Sequence, residues 1–254
     1  MTAALRLAPV PDLPMIQAGD DLAALAAKAM GRAGLKLEGG DVVCVAQKVV
    51  SKAEGRQVDL DDVQPSAQAV SLGAETDKDP RLVQLILDES TEVLRQRPGI
   101  LIVRHRLGLV CANAGIDQSN IDHGGGDQAL LLPVDPDRSA AALQSRLAEL
   151  TGVAVGVLIT DSHNRPWRLG TVGVAIGAAG IEVLDDRRGG ADLFGRELKV
   201  TLINRADAIA AAATLLMGET TERVPLVLAK GLATQSGSGT ASEIVRPLAE
   251  DLFR

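Results

Sequence analysis

The sequence predicts a mixed α/β fold, in which helices and short buried strands are interspersed along the chain. Segments with apolar residues at helical spacing occur between runs of β-branched residues, and Gly, Pro or Asp bounds most of them. Hydrophobic residues make up 46% of the 254 positions. A chain of this length and composition can bury a sizeable core, as one large domain or as two interlocked lobes.

Four segments have the pattern of helices, with apolar residues recurring every three or four positions after a capping residue or proline. Glycine or proline stands near the end of most of them, as expected where a helix stops. In chain order, the predicted helices follow Asp20-Asp21 as far as Gly31 or Gly34, follow Asp79-Pro80 through Leu94 to Pro98-Gly99, cover Arg138 to Leu150, and cover Ala206 to Met217.

The predicted strands are short apolar runs rich in Val and Ile, as is typical of strands buried in a sheet. In chain order they are Val42 to Val50, Ile100 to Val103, Val153 to Thr160, Thr171 to Ala179 and Pro225 to Ala229. Their order within a sheet does not follow from the sequence. The run that ends at Thr160 leads directly into Asp161, which is therefore a candidate for a site at a strand end.

Charge and hydropathy exclude two classes of partner. The formal net charge of −7 argues against binding to nucleic acid, because neutralising phosphates along a duplex needs a basic surface. It leaves room for a phosphorylated small ligand held by a local group of Lys or Arg. No window approaches the roughly 18 consecutive apolar residues of a membrane span, and the N-terminus lacks the apolar run of a signal peptide. We expect a soluble, cytoplasmic protein without a membrane partner.

Aromatic residues make up only 1% of the chain, which contains no Tyr. The core must therefore be built from Ala, Val, Leu and Ile, and the three aromatics, Trp167, Phe194 and Phe253, are not needed to fill volume. Cys44 and Cys111 both lie in apolar stretches without metal-ligand spacing. We expect buried thiols in a reducing cytosol.

The segment from Cys111 to Asn120 combines polar residues with turn-forming residues after a strand. Asp117, Ser119 and Asn120 offer oxygen ligands on a tight loop, which suits Mg²⁺ or Mn²⁺. Considered by itself, the spacing favours the simpler interpretation, an Asx-turn in which these side chains satisfy local backbone groups.

The segment from Thr160 to Arg168 places an acid where α/β proteins often bind ligands. Arg165 and Arg168 could together clamp a phosphate or a carboxylate. The alternative for Asp161 is a structural cap or an ion pair with an arginine. His163 could act as a base, but a lone histidine beside two arginines is more often a supporting residue, so it is not among the predicted site residues.

The segment from Gln47 to Arg56 carries three positive charges around the end of a predicted strand. Lys48, Lys52 and Arg56 could neutralise the phosphates of a nucleotide. On composition alone a solvated face is the better interpretation, because charged residues are common on strand edges.

The usual nucleotide-binding fingerprints are missing, since the chain has neither a G-x-x-x-x-G-K-[ST] loop nor a G-x-G-x-x-G pattern. Gly124-Gly125-Gly126 and the loop containing Gly237 and Gly239 could each cradle a phosphate through backbone N–H groups. Each of these two signals is weak by itself.

The order of the polar motifs, taken together, resembles the coenzyme F420-0:L-glutamate ligases. The resemblance extends over nearly the whole chain, and its most specific blocks are Asn-Ala-Gly-Ile-Asp-Gln-Ser-Asn, ending at Asn120, and Arg-Pro-Trp-Arg, ending at Arg168. The other matching segments begin at Asp12, Gly19, Ala46, Asp79, Asp192 and Met217. It implies a single ligase domain over residues 1–254, without the flavin-binding C-terminal domain of two-domain relatives.

The resemblance implies an intertwined α/β homodimer that binds coenzyme F420-0, L-glutamate and GTP. It also implies two divalent cations, Mg²⁺ or Mn²⁺, with K⁺ as a further candidate cation. Asp117 and Asp161 would bind the first metal ion as the catalytic pair, and Ser162 and Gln235 would serve the second. The implied nucleotide contacts are Leu13, Pro14, Met15, Ile16, Gln47, Lys52, Asn120, Ala233, Thr234, Gln235, Ser236, Gly237, Ser238, Gly239 and Thr240.

The sequence departs from the family pattern at His163-Asn164, where the family usually has an aromatic residue followed by Gly. The loop around Gln235 varies freely within the family. The implied reaction activates a carboxylate as an acyl phosphate, which the amine of glutamate then attacks. Two other interpretations remain open: a related carboxylate–amine ligase with another acceptor, and a non-catalytic protein that binds a nucleotide or a deazaflavin.

Overall fold

The computed structural model describes residues 4–164, 167–232 and 237–252. The chain divides into two compact units. The first unit comprises Met1–Met15, Asp21–Gln47 and Asp135–Ile244. The second unit comprises Ile16–Asp20, Lys48–Val134 and Val245–Arg254.

Most of the α-helices begin at a side chain that caps the first backbone N–H groups. Asp21, Ser66 and Asp79 accept such hydrogen bonds at the starts of the first, third and fourth helices, and Gly152 ends the fifth in the left-handed conformation that favours glycine. The α-helices are α1 (Leu22–Arg32), α2 (Gln47–Ala53), α3 (Ala67–Thr76), α4 (Pro80–Asp88), α5 (Pro136–Thr151) and α6 (Arg205–Met217). Short 3₁₀ helices cover Leu60–Asp62, Asn113–Gly115, Ala241–Ile244 and Leu248–Glu250.

The strands are three to nine residues long. They are β1 (Arg6–Pro9), β2 (Val42–Ala46), β3 (Gln57–Asp59), β4 (Ser90–Arg97), β5 (Ile100–His105), β6 (Val110–Ala112), β7 (Gln128–Leu130), β8 (Gly156–Asn164), β9 (Thr171–Ala179), β10 (Leu184–Asp186), β11 (Leu202–Asn204) and β12 (Leu226–Lys230). This mixture of helices and strands confirms the predicted α/β class.

The first unit is built on a five-stranded sheet in the order β1-β12-β2-β8-β9. β2 and β8 pair in parallel, and the other neighbouring strands pair antiparallel. Because β1 and β2 are both antiparallel to β12, the strands β1, β2 and β8 all run in the same direction. The chain therefore leaves all three strands at one edge of the sheet.

The core of the first unit consists of small aliphatic side chains, as the scarcity of aromatics predicts. Alanines of α6, such as Ala210 and Ala213, are buried against the sheet. Gly173 of β9 allows this close approach, because a Cβ atom there would lie 2.6 Å from the backbone oxygen of Ala210. Small side chains thus let helix and sheet pack tightly without large residues.

The second unit contains the three-stranded sheet β4-β5-β6 and the two-stranded sheet β3-β7, together with α3 and α4. The buried face of α4, with Val83 and Ile86, packs in one cluster with Leu101 and Val103 of β5. This separate core explains why the second unit is compact in its own right.

The predicted strand from Val42 to Val50 is wrong in its second half. The strand ends at Ala46, and α2 begins at once with Gln47. Val50 is buried, but on a helix rather than in a sheet. The β-branched run carried no information on where this switch occurs, because tertiary packing overrides the weak local preference of valine.

The predicted helix through Leu94 is also too long. α4 ends at Asp88, and Val93 and Leu94 lie on β4, which pairs with β5. The carboxylate of Glu89, just after the helix, is held by Arg56 and Arg106. Pairing with β5 then decides the strand conformation of the following residues.

The other predicted helices and strands are confirmed to within a few residues. Cys44 and Cys111 are buried, as predicted, and burial raises the pKa of the Cys44 thiol to about 12. Within the described ranges, no helix combines the length and the apolar character that crossing a bilayer requires.

Candidate active site

Three predicted site segments meet the carboxyl edge of the parallel strands in the first unit. Ala46 pairs with Thr160, so Gln47 and Asp161 come next in register at the same edge. The exit of β1 lies level with them, because the Val10 N–H donates to the Leu226 oxygen at 2.9 Å, next to the β12–β2 pairing. Ligands of α/β proteins commonly bind outside this edge of the sheet.

Asp161 lies inside β8 rather than after it, because the strand continues to Asn164 and pairs with β9. Its Oδ2 atom is 3.0 Å from Nε2 of His163. Residues two apart on a strand share a face, which brings the two side chains together. Among the described residues, His163 contacts the Asp161 carboxylate; Arg165, one of the two arginines that could pair with it in the alternative interpretation, lies outside the described residues.

Ser162 faces the opposite side of the sheet from Asp161. It is paired with Gly173, which packs on α6, and its neighbour Thr160 contacts the Met217 sulfur of α6. Gln47 is buried at the start of α2. The resemblance implied that both Ser162 and Gln47 contact ligands. In the structure, Ser162 lies on the face of the sheet that packs on α6, whereas Gln47 is buried where β2 leads into α2.

The segment Leu13 to Ile16 alternates between buried and exposed side chains. Leu13 and Ile16 are buried, whereas Pro14 and Met15 are exposed. The sulfur of Met15 lies 3.7 Å from the guanidinium of Arg223. A ligand would meet the exposed pair and the backbone here rather than the two buried side chains.

In the second unit, the predicted metal ligand Asp117 is fixed by its backbone. Its N–H donates to the Leu130 oxygen at 3.0 Å, and the Leu130 N–H donates back at 2.8 Å. The carboxylate forms an ion pair with Lys48 at 3.1 Å, and the same ammonium lies 3.4 Å from Oγ of Ser119. Lys48 was considered from the sequence but was not among the predicted site residues.

Lys52 lies one helical turn after Lys48 on α2, not beyond a strand end as the sequence suggested. Its ammonium donates to the backbone oxygen of Asn120 at 2.7 Å, and Asn120 itself has a positive φ of 58°. Partial burial and the nearby charge of Lys48 lower the pKa of Lys52, while Asp122 opposes the shift. We call Lys48, Lys52, Asp117, Ser119 and Asn120 the loop cluster.

Arg56, the third basic residue of this segment, has a structural role. It donates to Glu89 at 2.8 Å and to the Leu132 oxygen at 2.9 Å. Burial would raise the pKa of Glu89, but contacts from His105 and Arg56 and the charge of Arg106 lower it to about 2. Arg56 is therefore engaged inside the second unit rather than presented to a phosphate.

The predicted nucleotide loop is described in part, since Ala233, Thr234, Gln235 and Ser236 lie outside the described residues. A Cβ atom at Gly237 would lie 2.7 Å from the backbone nitrogen of Glu182, and the Gly239 N–H donates to the Ile181 oxygen at 3.2 Å. At both positions, the lack of a side chain lets the loop lie close to the backbone of residues 181–183. Ser238 is exposed, and the Thr240 N–H donates to Glu243 at 2.9 Å.

In the described parts of the chain, no three or more His, Cys, Asp or Glu side chains form a group that could hold a metal ion by itself. A site with one or two protein ligands is nevertheless ordinary for Mg²⁺ or Mn²⁺ beside a nucleotide, because phosphate oxygens and water complete the shell. Considered separately, Asp117 in the second unit lies beside Lys48 and Asp161 in the first unit lies beside His163, and each carboxylate could supply one ligand of this kind.

Comparison with known proteins identifies the family. Residues 12–231 match the model of the F420-0:Gamma-glutamyl ligase family. Three proteins named coenzyme F420:L-glutamate ligase are similar to this chain. The protein of Methanopyrus kandleri is 48% identical, and the alignment covers 98% of this chain and 98% of the relative. Those of Archaeoglobus fulgidus and Methanothermobacter thermautotrophicus are 46% and 42% identical, over 97% and 96% of this chain and 95% and 97% of the relatives, respectively. Because the family model and the relatives cover nearly its whole length, this chain belongs to the F420-0:gamma-glutamyl ligase family and is a ligase.

Proposed function

We propose that this chain joins L-glutamate to coenzyme F420-0 in the cytoplasm, with GTP as the activating co-substrate, in the biosynthesis of coenzyme F420. Full-length similarity to proteins named coenzyme F420:L-glutamate ligase supports the choice of the coenzyme and L-glutamate as substrates. One observation supports a catalytic role for this site rather than a merely structural one. Gln47, Asp161 and the end of β1 lie at the same edge of the five-stranded sheet.

The loop cluster supports the nucleotide part of the proposal. Partial burial, together with the charge of Lys48 one turn away on α2, lowers the pKa of Lys52. A bound triphosphate would compensate both positive charges. Lysine suits the role because its ammonium acts as a point charge on phosphate oxygens.

The residues also fit the proposed divalent cations. The carboxylates of Asp117 and Asp161 each retain some exposure, and a metal ion could take over the contact that each now makes with a neighbouring side chain. Bound cations would neutralise charge on the transferring phosphoryl group. Ser162 and Gln235 remain proposals for the second ion, and K⁺ for a further one.

The reaction is proposed to proceed in two steps. The carboxylate of F420-0 attacks the γ-phosphorus of GTP, forming a C(O)O–P bond as GDP leaves. The neutral amine of L-glutamate then attacks the acyl carbon, phosphate leaves, and the amine proton passes to solvent. Lys48 and Lys52 would hold the phosphates in line. An enzyme nucleophile is not needed for either step.

A homodimer is proposed because the chain displays exposed apolar side chains on one segment. We call residues 184–204, from β10 to β11, the arm. At its tip Leu193 and Phe194 are 98% and 95% exposed. The tip is held by Asp192, whose carboxylate accepts from the N–H groups of Phe194 at 2.9 Å and Arg196 at 2.8 Å. An exposed apolar tip whose turn is held by these hydrogen bonds suits insertion into a second copy of the chain.

The deciding experiment incubates the protein with F420-0, L-glutamate, GTP and Mg²⁺ or Mn²⁺, and follows the product by mass spectrometry and phosphate release. We expect one phosphate for each glutamate added. ATP in place of GTP, other amino acids in place of glutamate, and NaCl in place of KCl test the individual assignments. Phosphate release with another acceptor but not F420-0 would favour a related ligase, and binding of GTP without turnover would favour a non-catalytic protein.

Asp161→Ala tests the catalytic assignment. Loss of a metal ligand misplaces the ion, so turnover should fall on the order of a hundredfold or more while the thermal unfolding midpoint changes little. Asp88→Asn, at an exposed carboxylate on α4, is the matched control and should retain full turnover. Near wild-type turnover of Asp161→Ala at modest Mg²⁺ would contradict the assignment.

A further inference from the structure

His163 stands two residues after Asp161 on β8 and turns its ring to the same carboxylate. Nε2 lies 3.0 Å from Oδ2, and the two side chains are 12% and 11% exposed. Both side chains are therefore largely enclosed but keep some exposure, and they follow Thr160 at the sheet edge where the proposed reaction takes place.

The separation of these atoms is that of two neighbouring ligands on one metal ion. Adjacent donors of an octahedral ion, each at about 2.1 Å from it, are separated by about 3.0 Å. In the absence of an ion the same separation allows a hydrogen bond between the two side chains. With an ion bound, the histidine would set the metal preference, because imidazole nitrogen favours later transition ions, whereas carboxylate oxygen suits Mg²⁺ and Mn²⁺ alike.

We propose that His163, through Nε2, is a second protein ligand of the divalent cation at Asp161 and biases that site toward Mn²⁺ and later transition ions over Mg²⁺. This inference rests on the proposed function, because it requires a cation at Asp161. It makes His163 a specificity-determining residue for the metal.

Mn²⁺ alone is the probe. Pulsed electron paramagnetic resonance of the full-length protein with bound Mn²⁺ should show coupling to an imidazole ¹⁴N nucleus, and His163→Gln should abolish that coupling. In isothermal titration His163→Gln should weaken Mn²⁺ by about tenfold or more, since the loss of even an outer partner of a ligand costs 10–100-fold. Mg²⁺ affinity should change by less than about threefold, because Mg²⁺ prefers oxygen ligands.

Asn164→Ala is the matched control, since Asn164 is the exposed next residue of β8 and should leave Mn²⁺ binding unchanged. Mn²⁺ that binds in an Asp161-dependent manner without nitrogen coupling would overturn the inference and leave the proposed ligase function intact. Equal losses of Mn²⁺ and Mg²⁺ in His163→Gln would also overturn it, since they would indicate a positioning role. If Asp161→Ala binds both ions as the wild type does, with and without GTP, the metal assignment itself fails.

Discussion

Lys52 and Lys48 project from the same side of α2, and their surroundings differ. Lys48 forms an ion pair with Asp117, whereas Lys52 donates to the neutral backbone oxygen of Asn120. Burial and the charge of Lys48 lower the pKa of Lys52, so its positive charge is incompletely compensated. An anionic ligand would supply the compensation.

Lys52→Ala should therefore weaken GTP binding by about 1.5–3 kcal/mol, the range for a charge-assisted hydrogen bond. Binding of the deazaflavin alone should change little. Isothermal titration with each ligand measures both effects. Lys28→Ala, at an exposed lysine of α1, is the control and should change neither affinity by more than about 0.5 kcal/mol. GTP affinity that is indifferent to Lys52→Ala would place the nucleotide site elsewhere.

His163 shows what sequence reasoning missed at this scale. Its proximity to Asp161 depends on β8 continuing past Thr160, which the predicted strand boundary did not include. An acidic residue and a histidine two apart are neighbours on a strand, but they are not on a helix. The Asp-x-His spacing was therefore a usable signal only if the strand was extended to Asn164.

At the scale of elements, the approach of α6 to β9 depends on Gly173. A methyl group there would overlap Oγ1 of Thr214 and crowd the backbone of Ala210. Gly173→Ala should therefore destabilise the protein by about 1–3 kcal/mol, the range for overpacking. Chemical denaturation followed by circular dichroism measures this change.

Gly31→Ala is the matched control for that substitution. Gly31 lies near the end of α1, its φ is not positive, and a Cβ atom there would meet nothing within 4 Å. It should stabilise the protein by up to about 1 kcal/mol through helix propensity. If both glycine substitutions changed the free energy of unfolding in the same direction, close packing at Gly173 would not be the cause of its effect.

Several elements of the second unit are joined at the carboxylate of Glu89. Arg56 after α2, His105 at the end of β5 and Arg106 beyond it all contact Glu89, which itself follows α4. The Leu107 N–H donates to Nδ1 of His105, which leaves the proton on Nε2 facing Glu89. This network holds the Glu89 carboxylate at the point where the chain passes from α4 to β4.

Glu89→Gln should destabilise the protein by about 2–3 kcal/mol at neutral pH, because hydrogen bonds to a charged group are lost. The pKa of Glu89 is lowered from 4.5 to about 2 in the folded protein. Its stabilising contribution is therefore complete above pH about 4.5 and is lost as the pH falls toward 2. The difference in thermal midpoint between wild type and Glu89→Gln should shrink over that interval, and Asp88→Asn should show no such pH dependence.

At the scale of the whole molecule, the arm bears on assembly. Only three aromatic residues occur in the chain, and two of them, Trp167 and Phe194, are exposed. Burying a Phe or Leu side chain yields about 1.5–3 kcal/mol, so covering the tip of the arm would contribute substantially to a dimer. The exposure of Phe194 is otherwise unexplained in a protein that fills its cores with small aliphatic residues.

Phe194→Asp should shift the protein from dimer to monomer by raising the dimer dissociation constant about thirtyfold or more, equivalent to about 2 kcal/mol. Light scattering coupled to size-exclusion chromatography, over a range of concentrations, measures this shift. Val70→Asp, at another exposed apolar side chain, on α3, should leave the mass unchanged. A wild-type protein that stays monomeric at high concentration would contradict the proposed homodimer.

The sequence by itself determined the α/β class, most of the helices, the burial of the cysteines and the family. These depend on local periodicity, on capping residues such as Asp21 and Asp79, and on the order of motifs. The tertiary structure decided the ends of the strand at Ala46 and of the helix at Asp88, because pairing and packing outweigh local preference there. It alone decided the strand order β1-β12-β2-β8-β9, and with it which strand exits share an edge, since contacts between residues over a hundred positions apart leave no periodic trace in the sequence.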